Sequence, residues 1–539
     1  MAADTVGAIP SSRPSPTEAS FPTAAFRGLF AACVAALVVC PAATAWAQED
    51  DPAEAGEEQD SNALDSSLSL DPATPSQAAL PGGMTPAFGN PAAGRGDWRF
   101  DFHGQFTMPM VAGLNSRANR ESDESKYVMH APPQIPGDKE TFSYTTVTPT
   151  PFVQMNLSYG NSIVTGTVTI KAEQATISTG FFDPPSQAGV NDVFLQVRPQ
   201  LGDQIRMQLY FGAFSNRYGS PGEYDEGRYG TPIIAATNGV GEAVVTTLRL
   251  ANDWTLLVEQ GILGQSSRAP ADLTPDIWNG FADSNVGASF LHHEHAGIAF
   301  RRAATLGLHY MHAWSQDDQA TGRLAPDGKI QVAGGDLRLN LGRFGHFYTA
   351  AAYTNAENAR TVGRIIEVLN TEGGPGLIEN YLGEASDGNG SLMTFGGQYD
   401  LSVGKLVSYP VPFNGDGPDI VVSLFGLGTQ VTSDDPDEDG QLKLKFGAEA
   451  GYSLLSWFAA SARLDEVYPN MDEAKEAFVI VSPRLIFRTD WQSTNQVVLQ
   501  YSRFINGSLT TVRTGYPPRE DLSAIPDENV VSLSASMWW

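Results

Sequence analysis

A chain of 539 residues with net charge −28, 42% hydrophobic and 10% aromatic residues and 54 glycines is long enough for a substantial core. So acidic a chain is a poor partner for nucleic acid. Its two cysteines, Cys33 and Cys40, both fall among the first 47 residues, which leaves the remainder without disulfides, thiol nucleophiles or cysteine-ligated metals.

The one sustained apolar stretch is "FRGLFAACVAALVVCPAATAWAQ", from Phe26 to Gln48, where Arg27 precedes an apolar run from Leu29 to Val39 and small residues stand at Ala45 and Ala47. That pattern predicts a secretory signal peptide over 1–47, with Gln48 the first mature residue. Residues 48–97 hold ten acids against Arg95 alone, in a background rich in Pro, Ala and Gly. Such a segment buries too little apolar surface to offset its ordering entropy, and a disordered periplasmic arm is expected.

At Trp98 the pattern changes. In "WRFDFHGQFTM", Trp98, Phe100, Phe102, Phe106 and Met108 alternate with Arg99, Asp101, His103, Gln105 and Thr107, the period-two signature of a strand. The alternation recurs to the end of the chain and predicts eighteen strands, at about 98–108, 147–159, 162–172, 190–201, 204–214, 242–251, 254–262, 289–300, 304–314, 329–341, 344–354, 391–402, 419–430, 441–452, 456–466, 476–488, 494–505 and 529–539. Short connections such as "YGNSI", "ANDW" and "GRF" alternate with long polar ones such as 109–146, 215–241 and 355–390. Short turns at one rim and long loops at the other are the pattern of a transmembrane β-barrel. In lipid every backbone group must be paired, so the sheet has to close. The expectation for 98–539 is therefore an all-β, antiparallel up-and-down barrel of about 18 strands. Sixteen is the alternative if Asn506-Gly507 turns a further membrane hairpin.

The last stretch, "VVSLSASMWW", sets Val531, Leu533, Ala535 and Met537 against Ser532, Ser534 and Ser536, and ends on Trp539. Here the chain resembles the outer-membrane porin superfamily of Gram-negative bacteria, whose members end on such a strand with a C-terminal aromatic. Trp539 stands where Phe is usual. The resemblance covers 98–539 and rests on architecture and the terminal strand, without a subfamily motif. It implies an outer-membrane location, surrounding lipid and lipopolysaccharide, and a barrel-assembly machinery that reads Met537 and Trp539; it leaves a homotrimer open. It also implies a pore constriction in the loop after the fifth strand. That loop, "SNRYGSPGEYDEGRYGTPIIAATNGVGE", offers Glu223, Asp225 and Glu226 flanked by Arg217 and Arg228, to face a basic wall of Lys171, Arg198, Arg206 and Arg249.

Five of the eight histidines, His292, His293, His295, His309 and His312, fall on two neighbouring strands joined by a tight turn. An even turn sets His293 beside His312; an odd one sets His292 beside His312 and His295 beside His309. Imidazoles brought together suit zinc, copper or nickel, and His293, His295 and His312 are the candidate ligands. In "SDDPDEDGQ", Asp435, Asp437, Asp439 and Gly440 begin like a calcium loop, but Phe446 stands at the twelfth position where a bidentate Glu belongs. There is no G-x-S-x-G elbow, H-E-x-x-H helix or phosphate loop, so neither an enzyme nor a cofactor is expected. Barrels of 16–18 strands leave an aqueous channel. The expected function is passive diffusion of small hydrophilic solutes or ions. The rival is a structural or surface-interaction barrel plugged by 355–390 and 109–146.

Overall fold

The computed structural model describes residues 98–114, 128–129, 152–173, 187–199, 201–202, 204–217, 233–251, 253–266, 288–301, 303–316, 327–362, 365–369, 378–407, 417–491, 495–507 and 527–539. The expected signal peptide and acidic arm lie outside these residues.

Eighteen antiparallel strands close into one barrel. They are β1 (Arg99–Gly113), β2 (Phe152–Gly160), β3 (Val164–Glu173), β4 (Gln187–Val197), β5 (Ile205–Arg217), β6 (Ala236–Arg249), β7 (Trp254–Ser266), β8 (Ala288–Phe300) and β9 (Ala304–Gln316). The second half comprises β10 (Lys329–Asn340), β11 (His346–Glu357), β12 (Gly390–Ser402), β13 (Asp419–Ser433), β14 (Leu442–Leu455), β15 (Phe458–Tyr468), β16 (Phe478–Arg488), β17 (Gln496–Asn506) and β18 (Glu528–Trp538). Each strand pairs with its sequence neighbours, and β1 closes the ring on β18 with Gln105 opposite Trp538 and Gly113 opposite Val530. Two short bridges add to this frame: Val128–Met129 beside β1, and Ile366–Glu367 beside β6. Among the described residues no helix is long and apolar enough to cross a membrane.

The strands run from 9 residues in β2 to 15 in β1, and 9–11 suffice to cross a bilayer when tilted. Alternation decides which face meets lipid. Leu485, Leu499, Leu533 and Met110 are direct cross-strand neighbours from β16 to β1 and are all exposed on the outer surface. Ser482, Ser502 and Ser532, at alternating positions on these strands, are buried on the inner face. Aromatic pairs mark both edges of the apolar belt. Trp98–Tyr159 and Trp254–Phe300, with ring centroids 5.2 and 4.8 Å apart, sit at the short-turn edge. Phe290–Trp314 and Phe446–Tyr468, at 5.7 and 6.2 Å, sit at the long-loop edge. Amphipathic rings favour these interfaces. A closed sheet with an apolar belt between two aromatic girdles is a transmembrane barrel of the outer-membrane type.

The terminal strand seals the seam. Trp539 donates its backbone N–H to the Gly104 carbonyl at 3.1 Å and accepts one from Gly104 at 3.0 Å. Its ring covers Gly104, with the Phe102 and Phe106 rings 5.9 and 6.3 Å away. Met537 faces outward, 45% exposed.

Candidate functional site: the lumen

The inner wall has two unlike sides. From β14 round to β3 its middle and short-turn part is polar and interlocked, while Val467, Phe478, Ile480, Phe504, Val530 and Val111 are buried at the long-loop end. Ser158 and Thr167 hydroxyls lie 3.0 Å apart, and Thr169 donates to Asn156 at 2.9 Å. Lys443 reaches Glu438 at 3.0 Å. Arg484 spans Glu449 at 3.2 Å and Gln500 at 2.6 Å. Arg463 grips the Asp465 carboxylate through Nε and Nη2 at 2.8 and 2.6 Å, with the two side chains only 3% and 4% exposed. Pairing and hydrogen bonding let such charges persist out of bulk water. Lys445 points inward on the same wall.

From β7 to β13 the long-loop half of the inner wall is apolar: Leu263, Leu291, Met311, Val332, Leu392 and Val431 are all buried. Two loop segments cover it. Ile233, Ile234 and Ala235, just before β6, are 1–2% exposed. A Cβ on Gly396, in the middle of β12, would meet Ile233 Cδ1 at 2.9 Å. Five strands separate β6 from β12 in the ring, so this segment crosses the lumen at mid-height. Small inward residues make room for it, Ala350 and Ala352 on β11 beside Gly396 on β12.

The second segment is the connection between β11 and β12. Ile366 and Glu367 pair with Thr237 and Ala236. Val362, Ile365, Leu369 and Leu382 have no exposed surface. Thr361 lies 2.9 Å from Ser315 on the inner face of β9, and Ala385 donates its N–H to Asp435 at 3.0 Å. Tyr381 donates to the Leu369 carbonyl at 3.4 Å, and burial pushes its phenol well above its ordinary pKa. The acidic tip at 435–440 thus serves this packing, since Asp435 also accepts from the Asp437 N–H at 3.0 Å.

The expected eyelet residues are distributed differently. Glu223, Asp225, Glu226 and Arg228 lie outside the described residues. Arg217 ends β5 at the long-loop edge, opposite Ala236. Arg198, Arg206 and Arg249 gather at the other edge, where Arg198 donates to Thr165 at 2.9 Å and Arg206 is opposite Thr247. Arg206 and Arg217 are near opposite ends of one strand, about 36 Å apart at the usual rise. Lys171 is opposite Gln154, toward the long-loop end of β3. The basic side chains that share a wall are instead Lys445, Arg463 and Arg484, with Lys443 above them at the long-loop edge, which alternation along β14–β16 could have identified.

The histidines are sorted by the three-residue turn 301–303. Its odd length sets His292 opposite His312 and His295 opposite His309. His293, His295 and His309 face the lumen; His292 and His312 face outward. Sequence parity thus separates His312 from the other two candidate ligands. The inward rings of His295 and His309 stack with centroids 4.2 Å apart. His309 Nε2 lies 2.8 Å from Asp336 Oδ1 on β10. Glu259 on β7 has its carboxylate oxygens 3.9 Å from both His293 Nδ1 and His295 Nδ1. Glu259 and Asp336 were not singled out by sequence; each is the acid on the inner face of its strand at the level of the histidines.

No family model matches the chain, and no curated protein matches it. Solved structures do. Outer-membrane expressed OmpT of Vibrio cholerae is similar at 10% identity with TM-score 0.34, covering 83% of this chain and 100% of that one. OccK8 (OprE) of Pseudomonas aeruginosa is similar at 11% identity with TM-score 0.37, covering 81% and 98%. OccAB4 of Acinetobacter baumannii gives 10% identity and TM-score 0.37 over 81% and 98%.

Proposed function

We propose that this outer-membrane barrel is a porin-type channel that passes small hydrophilic solutes or ions by diffusion along the polar side of its lumen. The observation that carries this reading is an 18-strand closure whose inner wall is polar through the middle and short-turn part from β14 to β3, since barrels of that size enclose more space than wall side chains fill. Residues 233–235 and the described residues of the β11–β12 connection, among them Val362, Ile365, Leu369 and Leu382, take up space on the apolar side, so the path is off-centre. A solute passes Lys443, Arg463 and Arg484 with Glu449 and Asp465 among them, a mixed-charge wall that favours polar over apolar solutes. The lumenal groups engage one another in ion pairs and hydrogen bonds, an arrangement for lining a path rather than for bond-breaking chemistry.

The burial of Val362, Ile365 and Leu369 favours a second reading, in which the segment 358–389 closes the path and must move to open it. Conductance of the refolded barrel in a planar bilayer under a salt gradient separates the two. Asn358 and Asn389 are joined by a 2.9 Å hydrogen bond, so residues 360–387 can be removed and the ends bridged. Ohmic steps in the native chain that enlarge in the deletion support the open channel. Steps only in the deletion support the plug. Steps in neither overturn the channel.

The barrel's expected partners are lipid and lipopolysaccharide around the belt, the assembly machinery at Met537 and Trp539, and a second copy of the chain. The last is supported by polar side chains on the outer face between the two girdles. Gln260 and His292 lie 3.2 Å apart, and His292 lies 3.5 Å from Glu294. Glu294 stands four residues from Phe290 and six from Phe300, near the midplane, where a carboxylate facing lipid is unfavourable, by less than the about 2–4 kcal/mol of Arg or Lys. A protein surface over this patch removes that cost.

A further inference from the structure

The geometry points to a divalent transition-metal site on the inner wall, built from His295, His309 and Asp336 with Glu259 and His293 beside it. Four adjacent strands, β7 to β10, each deliver at least one donor to the same mid-depth level. One ligand atom from each of His295, His309 and Asp336 lies within 4.8 Å of the others. Metal–ligand bonds of about 2.0–2.2 Å put the ligand atoms of a tetrahedral ion about 3.3–3.5 Å apart. Rotation of the two imidazoles about their own side-chain bonds closes that difference without moving the strands. Glu259, 3.9 Å from His295 Nδ1, is within reach as a fourth ligand, and His293 sits on its other oxygen.

The packing around the donors is specific. Gly307 pairs with Asp336 across the strands. A Cβ there would come within 2.3 Å of Asp336 Oδ1 and 3.0 Å of His309 Nε2. The missing side chain is what lets the carboxylate lean across β9 to the imidazole. Leu291 and Met311 lie on the long-loop side of the donors, and Leu257 and Ala299 on the other. Glu259, Asp336, His293 and His309 are each no more than 4% exposed.

Charge favours a cation here. Two buried carboxylates, Glu259 and Asp336, stand among three imidazoles, with Arg338 two residues along the same face of β10. A divalent ion balances the carboxylates, and mixed imidazole and carboxylate donors suit zinc, nickel, cobalt or iron(II). The outward His292 and His312, on the same two strands, take no part. The site belongs to the folded wall, so its test is separate from conduction.

The experiment is a zinc titration of the full refolded barrel, without an affinity tag and after chelator treatment. One saturable equivalent is expected. His309→Ala and Asp336→Asn, checked for folding by gel mobility before and after heating, should weaken it by about tenfold or more, while the pair His292→Ala and His312→Ala should bind as the native chain does. Zinc-edge X-ray absorption on the native protein keeps the test independent of variants that fail to fold, and should show two or more imidazoles in the shell. Absence of a saturable equivalent, native binding by the first two variants, or an oxygen-only shell overturns the site.

Discussion

Ile233 and Gly396 meet across the lumen: a side chain begun at Gly396 would find Ile233 Cδ1 already 2.9 Å away. The contact fixes the depth at which the segment before β6 crosses the barrel, and it exists because β12 carries no side chain there. Ile233→Ala removes a buried side chain and should weaken the seating of that segment by about 2–5 kcal/mol. Gly396→Val should displace it directly. In single-channel recordings both variants are expected to add a larger conductance level that the native chain visits rarely. Unchanged conductance histograms would show that the segment does not border the path.

The closing strand makes a second prediction. Trp539 lies on Gly104 so closely that a Cβ there would stand 2.6 Å from the ring and 2.6 Å from the Gln154 carbonyl oxygen. Gly104→Leu should therefore displace the C-terminal ring from the seam. Trp539→Ala should leave Phe102 and Phe106 without their neighbour. Each is expected to lower the yield of heat-modifiable, folded barrel several-fold, and Gly104→Leu should also slow its appearance on refolding. Equal yields for all three chains would remove the seam from the account of assembly.

The strand order, the closure and the loop asymmetry were legible because period-two alternation and turn length are local signals. The outward row Leu485, Leu499, Leu533 and Met110 follows from them directly. The inner wall was less legible. Leu291, Met311 and Val332 point into a lumen that alternation alone marks as polar, because their covering comes from 233–235 and 358–389, remote in sequence. The histidine strands failed to alternate cleanly for a related reason. Their outer face carries His292, Glu294 and His312 where lipid would ask for apolar groups, so both faces look polar and the parity of the 301–303 turn stays open until the register is known. The loop acids Glu223, Asp225 and Glu226 drew attention by charge density, whereas Lys443, Arg463 and Arg484 are single charges on separate strands that only the sheet brings together.

Those charges make the third prediction. Replacing Lys443, Lys445 and Arg484 with Gln removes three basic side chains from one wall and leaves Glu449 and Asp465 in place. The reversal potential under a salt gradient should move toward cation selectivity. Asp465→Asn removes an anion instead, and it breaks a buried pair as Lys443→Gln does against Glu438 and Arg484→Gln against Glu449. It leaves the Arg463 guanidinium buried with its bidentate partner neutralised, a change that costs about 3–5 kcal/mol when a buried pair is broken. Its expected signature is a lower urea midpoint with a smaller change in selectivity. A selectivity shift from Asp465→Asn as large as that of the triple variant, at native stability, would contradict this division.

Glu294 makes the fourth. Its side chain is 54% exposed on the outer face, and its one ion-pair neighbour there is His292 at 3.5 Å. If a second copy covers the patch, Glu294→Leu deletes a polar contact between subunits, and the oligomer should dissociate at lower detergent concentration than the native one. If lipid covers it, the same substitution removes a carboxylate from the hydrocarbon belt and should stabilise the barrel, by less than the about 2–4 kcal/mol that Arg or Lys would cost there. Its oligomeric state would then be unchanged. Mass by light scattering in detergent, read beside the urea midpoint, distinguishes the outcomes because the two environments predict opposite signs. The double variant Glu294→Leu and His292→Leu should amplify whichever sign the single variant shows, since it removes both members of the pair.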